Sequence, residues 1–225
     1  MRRTGARPSA GHVVLLGDSI FDNKAYVGDD PDVVTQLRQM LPAGWAATLL
    51  AVDGDVMAGV DRQLRLLPAD ATHLVVSVGG NDALGFADVL QMPAGDVTGA
   101  LNILATAQDD FAAGYQAMAK AVASTGLPAA LCTIYDTPSS GPGYRTIKTA
   151  LAVFNDCITR AAFSLRMSLI DLRLLCCEDS DYANPIEPSA LGGAKIARAI
   201  ASLATQGIQS GITTVIADSR ELGSG

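Results

Sequence analysis

Basic clusters are missing from this sequence, and acids outnumber bases enough to give the 225 residues a formal charge of −7. No Lys/Arg run extends beyond Arg2-Arg3, so nothing would neutralise a phosphate backbone and no nucleic-acid partner is expected. Long hydrophobic runs are also missing. No stretch approaches the roughly 18 to 20 apolar residues of a membrane span, and Val13 to Leu16 is too short for a signal-peptide core. A soluble chain is predicted. The four cysteines, Cys132, Cys157, Cys176 and Cys177, form no Cys-x-x-Cys pair, and the two histidines, His12 and His73, stand far from them. Neither a zinc site nor a disulfide framework is indicated, and reduced thiols in a cytoplasmic protein are the expectation. Neither Gly-x-Gly-x-x-Gly nor a phosphate-binding Gly-x-x-x-x-Gly-Lys-Ser/Thr loop occurs. No cofactor is therefore expected. Gly-x-Ser-x-Gly is absent too, which removes the nucleophile elbow of the α/β-hydrolases.

With 49% hydrophobic residues, the chain can bury one substantial core. Val13–Leu16, Thr48–Val52, Leu74–Val78, Ala130–Ile134 and Ser168–Leu172 are short apolar runs, the pattern of strands buried on both faces of a parallel sheet. Stretches with helical spacing lie between them: Pro31 to Leu41 after an Asp30 cap, Val60 to Leu67, Val97 to Ser124, Tyr144 to Leu165 and Ser189 to Thr205. Such alternation predicts an α/β fold, a three-layer α/β/α sandwich on a central parallel five-stranded sheet. Residues 1–11 are expected to be a flexible N-terminus, 12–206 the domain, and 207–225 a tail whose Thr213–Ala217 run is compatible with an edge strand.

In an open parallel sheet ligands bind beyond the carboxyl ends of the strands. Those positions hold Gly17-Asp18-Ser19-Ile20, Asp53-Gly54-Asp55, Gly79-Gly80-Asn81-Asp82 and Tyr135-Asp136. Each segment alone is an ordinary turn. Three such segments at successive strand ends point to chemistry: an exposed serine can attack a carbonyl, and backbone or amide N–H groups can hold the oxyanion that results.

In order and spacing these segments resemble the first three sequence blocks of the GDSL/SGNH hydrolases, from Val13 to about Ile200. The resemblance implies a flavodoxin-like sheet and a serine hydrolase acting on a small-molecule acyl ester. It implies Ser19 as nucleophile, with Ser19 N–H, Gly54 N–H and the Asn81 amide as oxyanion donors. Asp18 and Asp82 are expected to brace their loops, and Phe21 and Asp136 are candidates for substrate contact.

The fourth block departs from the family. Where Asp-x-x-His-Pro is usual, this chain reads Asn184-Pro185-Ile186-Glu187-Pro188. Glu187 thus stands at the base position and Asn184 at that of its orienting aspartate. His12 and His73 precede their strands, on the side opposite the expected site, and cannot fill the gap. Three readings stay open: Glu187 is the base and Asn184 orients it through a hydrogen bond; Asp136 serves instead; or the base is lost, leaving a weak hydrolase or a protein that binds acyl or carbohydrate ligands. Oligomeric state is not legible.

Overall fold

The computed structural model describes residues 10–206 and 215–216. The chain enters as β1 (Gly11–Gly17), α1 (Val33–Met40) and β2 (Trp45–Leu49), followed by α2 (Val60–Leu64), β3 (His73–Ser77) and α3 (Gly80–Leu84). It continues through α4 (Val97–Ser124), β4 (Ala129–Cys132), α5 (Tyr144–Ser164), β5 (Ser168–Ile170) and α6 (Leu172–Leu175). A small hairpin of β6 (Tyr182–Asn184) and β7 (Glu187–Pro188) then precedes α7 (Ala190–Gln206) and β8 (Val215–Ile216).

The main sheet is parallel with strand order β2-β1-β3-β4-β5-β8. The five predicted strands lie side by side in it, with β2 at one edge. Val215–Ile216, inside the run expected to add an edge strand, pairs with β5 and adds a sixth. The remainder of the tail, like residues 1–9 of the expected flexible N-terminus, lies outside the described residues.

Alternation along β1 explains the layers. Val13 and Leu15 join Val75, Ala130 and Ile170 in a core under α1 and α7, while Val14 and Leu16 join Leu74, Val76, Leu131 and Leu169 under α4 and α5. Both faces are apolar because both are covered. Among the described residues no helix is long and apolar enough to cross a membrane.

α1 begins later than expected. Its cap is Asp32 rather than Asp30: the Asp32 side chain accepts from Thr35 N–H at 2.9 Å and satisfies one of the free donors of the first turn. Asp32→Ala is expected to cost about 1 kcal/mol of stability, read from the urea midpoint at unchanged slope.

β1 and β3 are neighbours although they are not consecutive, and the chain leaves β1 toward β2 on one side and returns to β3 on the other. Such a reversal opens a crevice at the carboxyl ends of the two strands. Ser19 follows β1 and Asn81 follows β3, so both lie at its rim.

Candidate functional site

Gly17 sets the geometry of the first loop. Its φ of +124° is open to glycine and strained for other residues, and a Cβ there would lie 1.8 Å from the Ser77 carbonyl oxygen. Both of its backbone groups are held by one side chain: Gln63 Oε1 accepts from Gly17 N–H at 2.7 Å, and Gln63 Nε2 donates to the Gly17 carbonyl at 2.8 Å. Gln63 also donates to Asp55 at 2.8 Å, coupling the loops after β1 and β2. Its role was not foreseen. The available signal was a lone amide on the apolar face of a helix, between Val60 and Leu67.

Asp18 and Asp82 each accept a hydrogen bond from a backbone N–H. Asp18 Oδ1 accepts from Ile20 N–H at 3.1 Å, and the Asp82 carboxylate accepts from Met57 N–H at 3.1 Å. Burial pushes the Asp18 carboxyl up to about 8, with Glu187 and Asp82 adding repulsion and the Ile20 N–H opposing. Gly54 turns the chain after β2 with φ +78°. Asn81 Nδ2 donates to the Asp55 carbonyl at 2.9 Å, which ties the third loop to the residue after Gly54. That bond uses one of the two amide hydrogens.

Glu187 lies at the opposite wall. Only 4% of it is exposed, against 5% of Ser19, and the two residues line the same cleft. Burial raises the Glu187 pKa above its ordinary 4.5; the Ser19 side chain lowers it and the charge of Asp53 raises it further. Glu187 Oε2 is buried without a hydrogen-bond partner. Three neighbours fix the segment that carries it. Tyr135 O–H donates to the Ile186 carbonyl at 2.9 Å, Asn23 Nδ2 donates to the Pro188 carbonyl at 3.3 Å, and Asn184 Oδ1 accepts from the N–H groups of Ile186 and Glu187 at 2.9 and 3.0 Å.

The last of these corrects the part expected of Asn184. Its oxygen braces the backbone of the turn rather than orienting the Glu187 carboxylate. Phe21 also differs from expectation: it is fully buried in the core under α1 and α7 and does not line the cleft. Asp136 does line it, with its carboxylate paired to Lys148 at 3.1 Å. His12 bonds Asp70 and Thr48 at the far end of the sheet, and His73 bonds Thr72 and packs on Trp45. Neither histidine reaches Ser19's end of the strands.

Asp18, Ser19, Asn81 and Glu187 open onto one cleft. Its contents are a hydroxyl, a buried carboxyl and an amide at the switch point of a parallel sheet, the equipment of a hydrolase that works on acyl compounds.

Residues 15–195 match the model of the GDSL-like lipase/acylhydrolase family. The chain belongs to that family. Solved structures agree in fold. An extracellular lipase from Streptomyces rimosus aligns with a TM-score of 0.65 at 17% identity, covering 87% of this chain and 100% of that one. Phospholipase A1 from Streptomyces albidoflavus gives 0.59 at 19% identity over 83% of this chain and 96% of its own. The acetylxylan esterase Axe2 from Geobacillus stearothermophilus gives 0.59 at 15% identity over 88% and 95%. No curated protein matches the chain.

Proposed function

We propose that this protein hydrolyses small carboxylic esters without a cofactor, through an acyl-Ser19 intermediate and with Glu187 as the general base. The carrying observation is that Ser19 and Glu187, both withdrawn from water, line one cleft together with Asn81. Ser19 Oγ attacks the acyl carbon as its proton passes to Glu187. Charge develops on the former carbonyl oxygen, where Ser19 N–H, Gly54 N–H and the second Asn81 amide hydrogen donate to it. Collapse breaks the bond to the alcohol oxygen, which leaves with the proton from Glu187, and water then attacks the acyl-enzyme by the same route.

A carboxylate is about 2 pK units less basic than imidazole, roughly 3 kcal/mol if fully expressed. Burial with one unpartnered oxygen offsets part of that deficit, because a poorly solvated carboxylate holds a proton more strongly. Asp136 is a weaker candidate, since Lys148 already neutralises it. A short-chain p-nitrophenyl ester should give a burst of nitrophenol and an acyl adduct on the Ser19 peptide by mass spectrometry, both absent in Ser19→Ala. An adduct on another residue, or none with steady turnover, would sink the reading.

A further inference from the structure

We infer that Gln63 is the positioning residue that holds the Ser19 hydroxyl in register with its oxyanion donors. This deepens the ester reading above and rests on it. Gln63 lies on the buried face of α2 with Val60 and is 1% exposed. Its amide is nevertheless fully employed: Oε1 accepts from Gly17 N–H, one Nε2 hydrogen goes to the Gly17 carbonyl and the other to Asp55 Oδ2. Each partner belongs to a loop that carries a reacting group. Gly17 stands two residues before Ser19, and its carbonyl also accepts from Val52 N–H at 3.1 Å, at the head of the loop that holds Gly54. Asp55 follows Gly54, and its carbonyl receives one Asn81 amide hydrogen. One side chain therefore reaches from the nucleophile's loop to the turn after β2, and through the Asp55 backbone to Asn81.

The Asp55 carboxylate is itself boxed in. Arg62 donates to its Oδ2 at 2.8 Å, and a Cβ on Gly59 would lie 2.1 Å from its Oδ1, so the start of α2 packs directly on it. A carboxylate with no room to swing passes the position of α2 to the turn that contains Gly54. Packing does not hold that turn, since a Cβ on Gly54 would meet nothing within 4 Å. Its place is set by hydrogen bonds, and the Gln63 amide supplies the one that joins it to the Ser19 loop. An attacking oxygen and its oxyanion donors must be held to within about 0.5 Å. A displacement of about 1 Å costs about 10²-fold in rate.

The test is hydrolysis of p-nitrophenyl butyrate by Gln63→Leu, expressed per folded molecule. Its kcat should fall about 10²-fold while KM changes less than about threefold, because the lost alignment matters in the transition state and not in substrate binding. Affinity for phenylboronic acid, whose adduct with a serine is tetrahedral, should fall in the same proportion as kcat. Asp55→Ala is the second variant should Gln63→Leu fail to fold. It keeps the Gly17 bonds, cuts the link to the Gly54 turn, and should lose about tenfold in kcat. The double variant should be little worse than Gln63→Leu alone, since both changes cut one connection. Asp32→Ala, whose side chain bonds within α1, is the control: stability falls and kcat per folded molecule stays at the wild-type value. Wild-type kcat and boronate affinity in Gln63→Leu, or single losses that simply multiply in the double variant, would overturn the inference. Failure of the ester reading shows separately, as a wild type with no turnover that depends on Ser19. The clamp is then read from the Asn81 side-chain amide signal in nitrogen-15 spectra: a shift in Gln63→Leu supports the coupling of the loops, and an unmoved signal overturns it.

Discussion

Glu187→Gln should lower kcat/KM by about 10² to 10⁴ while leaving the fold intact, because the amide keeps the shape of the side chain and cannot take a proton from Ser19. Loss of this size is what a general base contributes when the oxyanion donors remain. The pH profile of the wild type carries the same information. Only the ionised carboxylate can act, so turnover should climb with pH through a value above the ordinary 4.5 of glutamate, as burial has moved this group upward. Asp18 should close the window from the other side. It is neutral below about 8, and above that its ionisation places a second negative charge near Glu187 and beside the forming oxyanion. A bell-shaped kcat/KM profile follows, its acid limb lost in Glu187→Gln. A Gln variant with wild-type turnover would exclude Glu187 as base, although it shares a cleft with Ser19.

The layers of this fold were legible because buried parallel strands write themselves as apolar runs, and α4 was read with the bounds it has, Val97–Ser124. β2 was read too late in the chain. Its ladder runs through Trp45-Ala46-Ala47, which carries little apolar signal, while in the more apolar Leu50 to Val52 the regular register ends, with Leu50 and Ala51 N–H both on the Leu15 carbonyl. β4 ends early for a similar reason, since Ile134 N–H is taken by the side chain of Asn155 rather than by a strand. At the site, spacing in sequence located Ser19, Asn81 and Glu187 around one cleft because each follows or faces a strand end. It misplaced Phe21 and misread Asn184, since pattern alone does not say whether a side chain turns into the core or which backbone groups it meets. Gln63, Asn23 and Tyr135 act through contacts made across tens of residues of chain, and no local spacing announces those.

Asp18→Asn should make the protein more stable at neutral pH, by an amount that grows as pH rises. Asp18 is 2% exposed, and folding takes it from an ordinary 3.8 to about 8. Near pH ~4 and below, folded and unfolded chains both hold the proton and the group costs nothing. Between the two values the folded chain keeps a proton that the unfolded chain has released, so stability falls by about 1.4 kcal/mol for each pH unit. Above about 8 the folded group ionises as well and the penalty stops growing. Asparagine at this position retains an oxygen for the Ile20 N–H and has no proton to lose, so it carries none of this slope. Urea midpoints of the two proteins should coincide near the acid end and separate steadily toward neutrality. A separation that stays constant across that range would mean Asp18 is ionised in the folded protein, and the alkaline limb of the activity profile would then need another group. On the reading proposed above, the site trades stability for a carboxyl kept neutral beside Ser19, the arrangement a second carboxylate acting as base requires if the oxyanion is to form nearby.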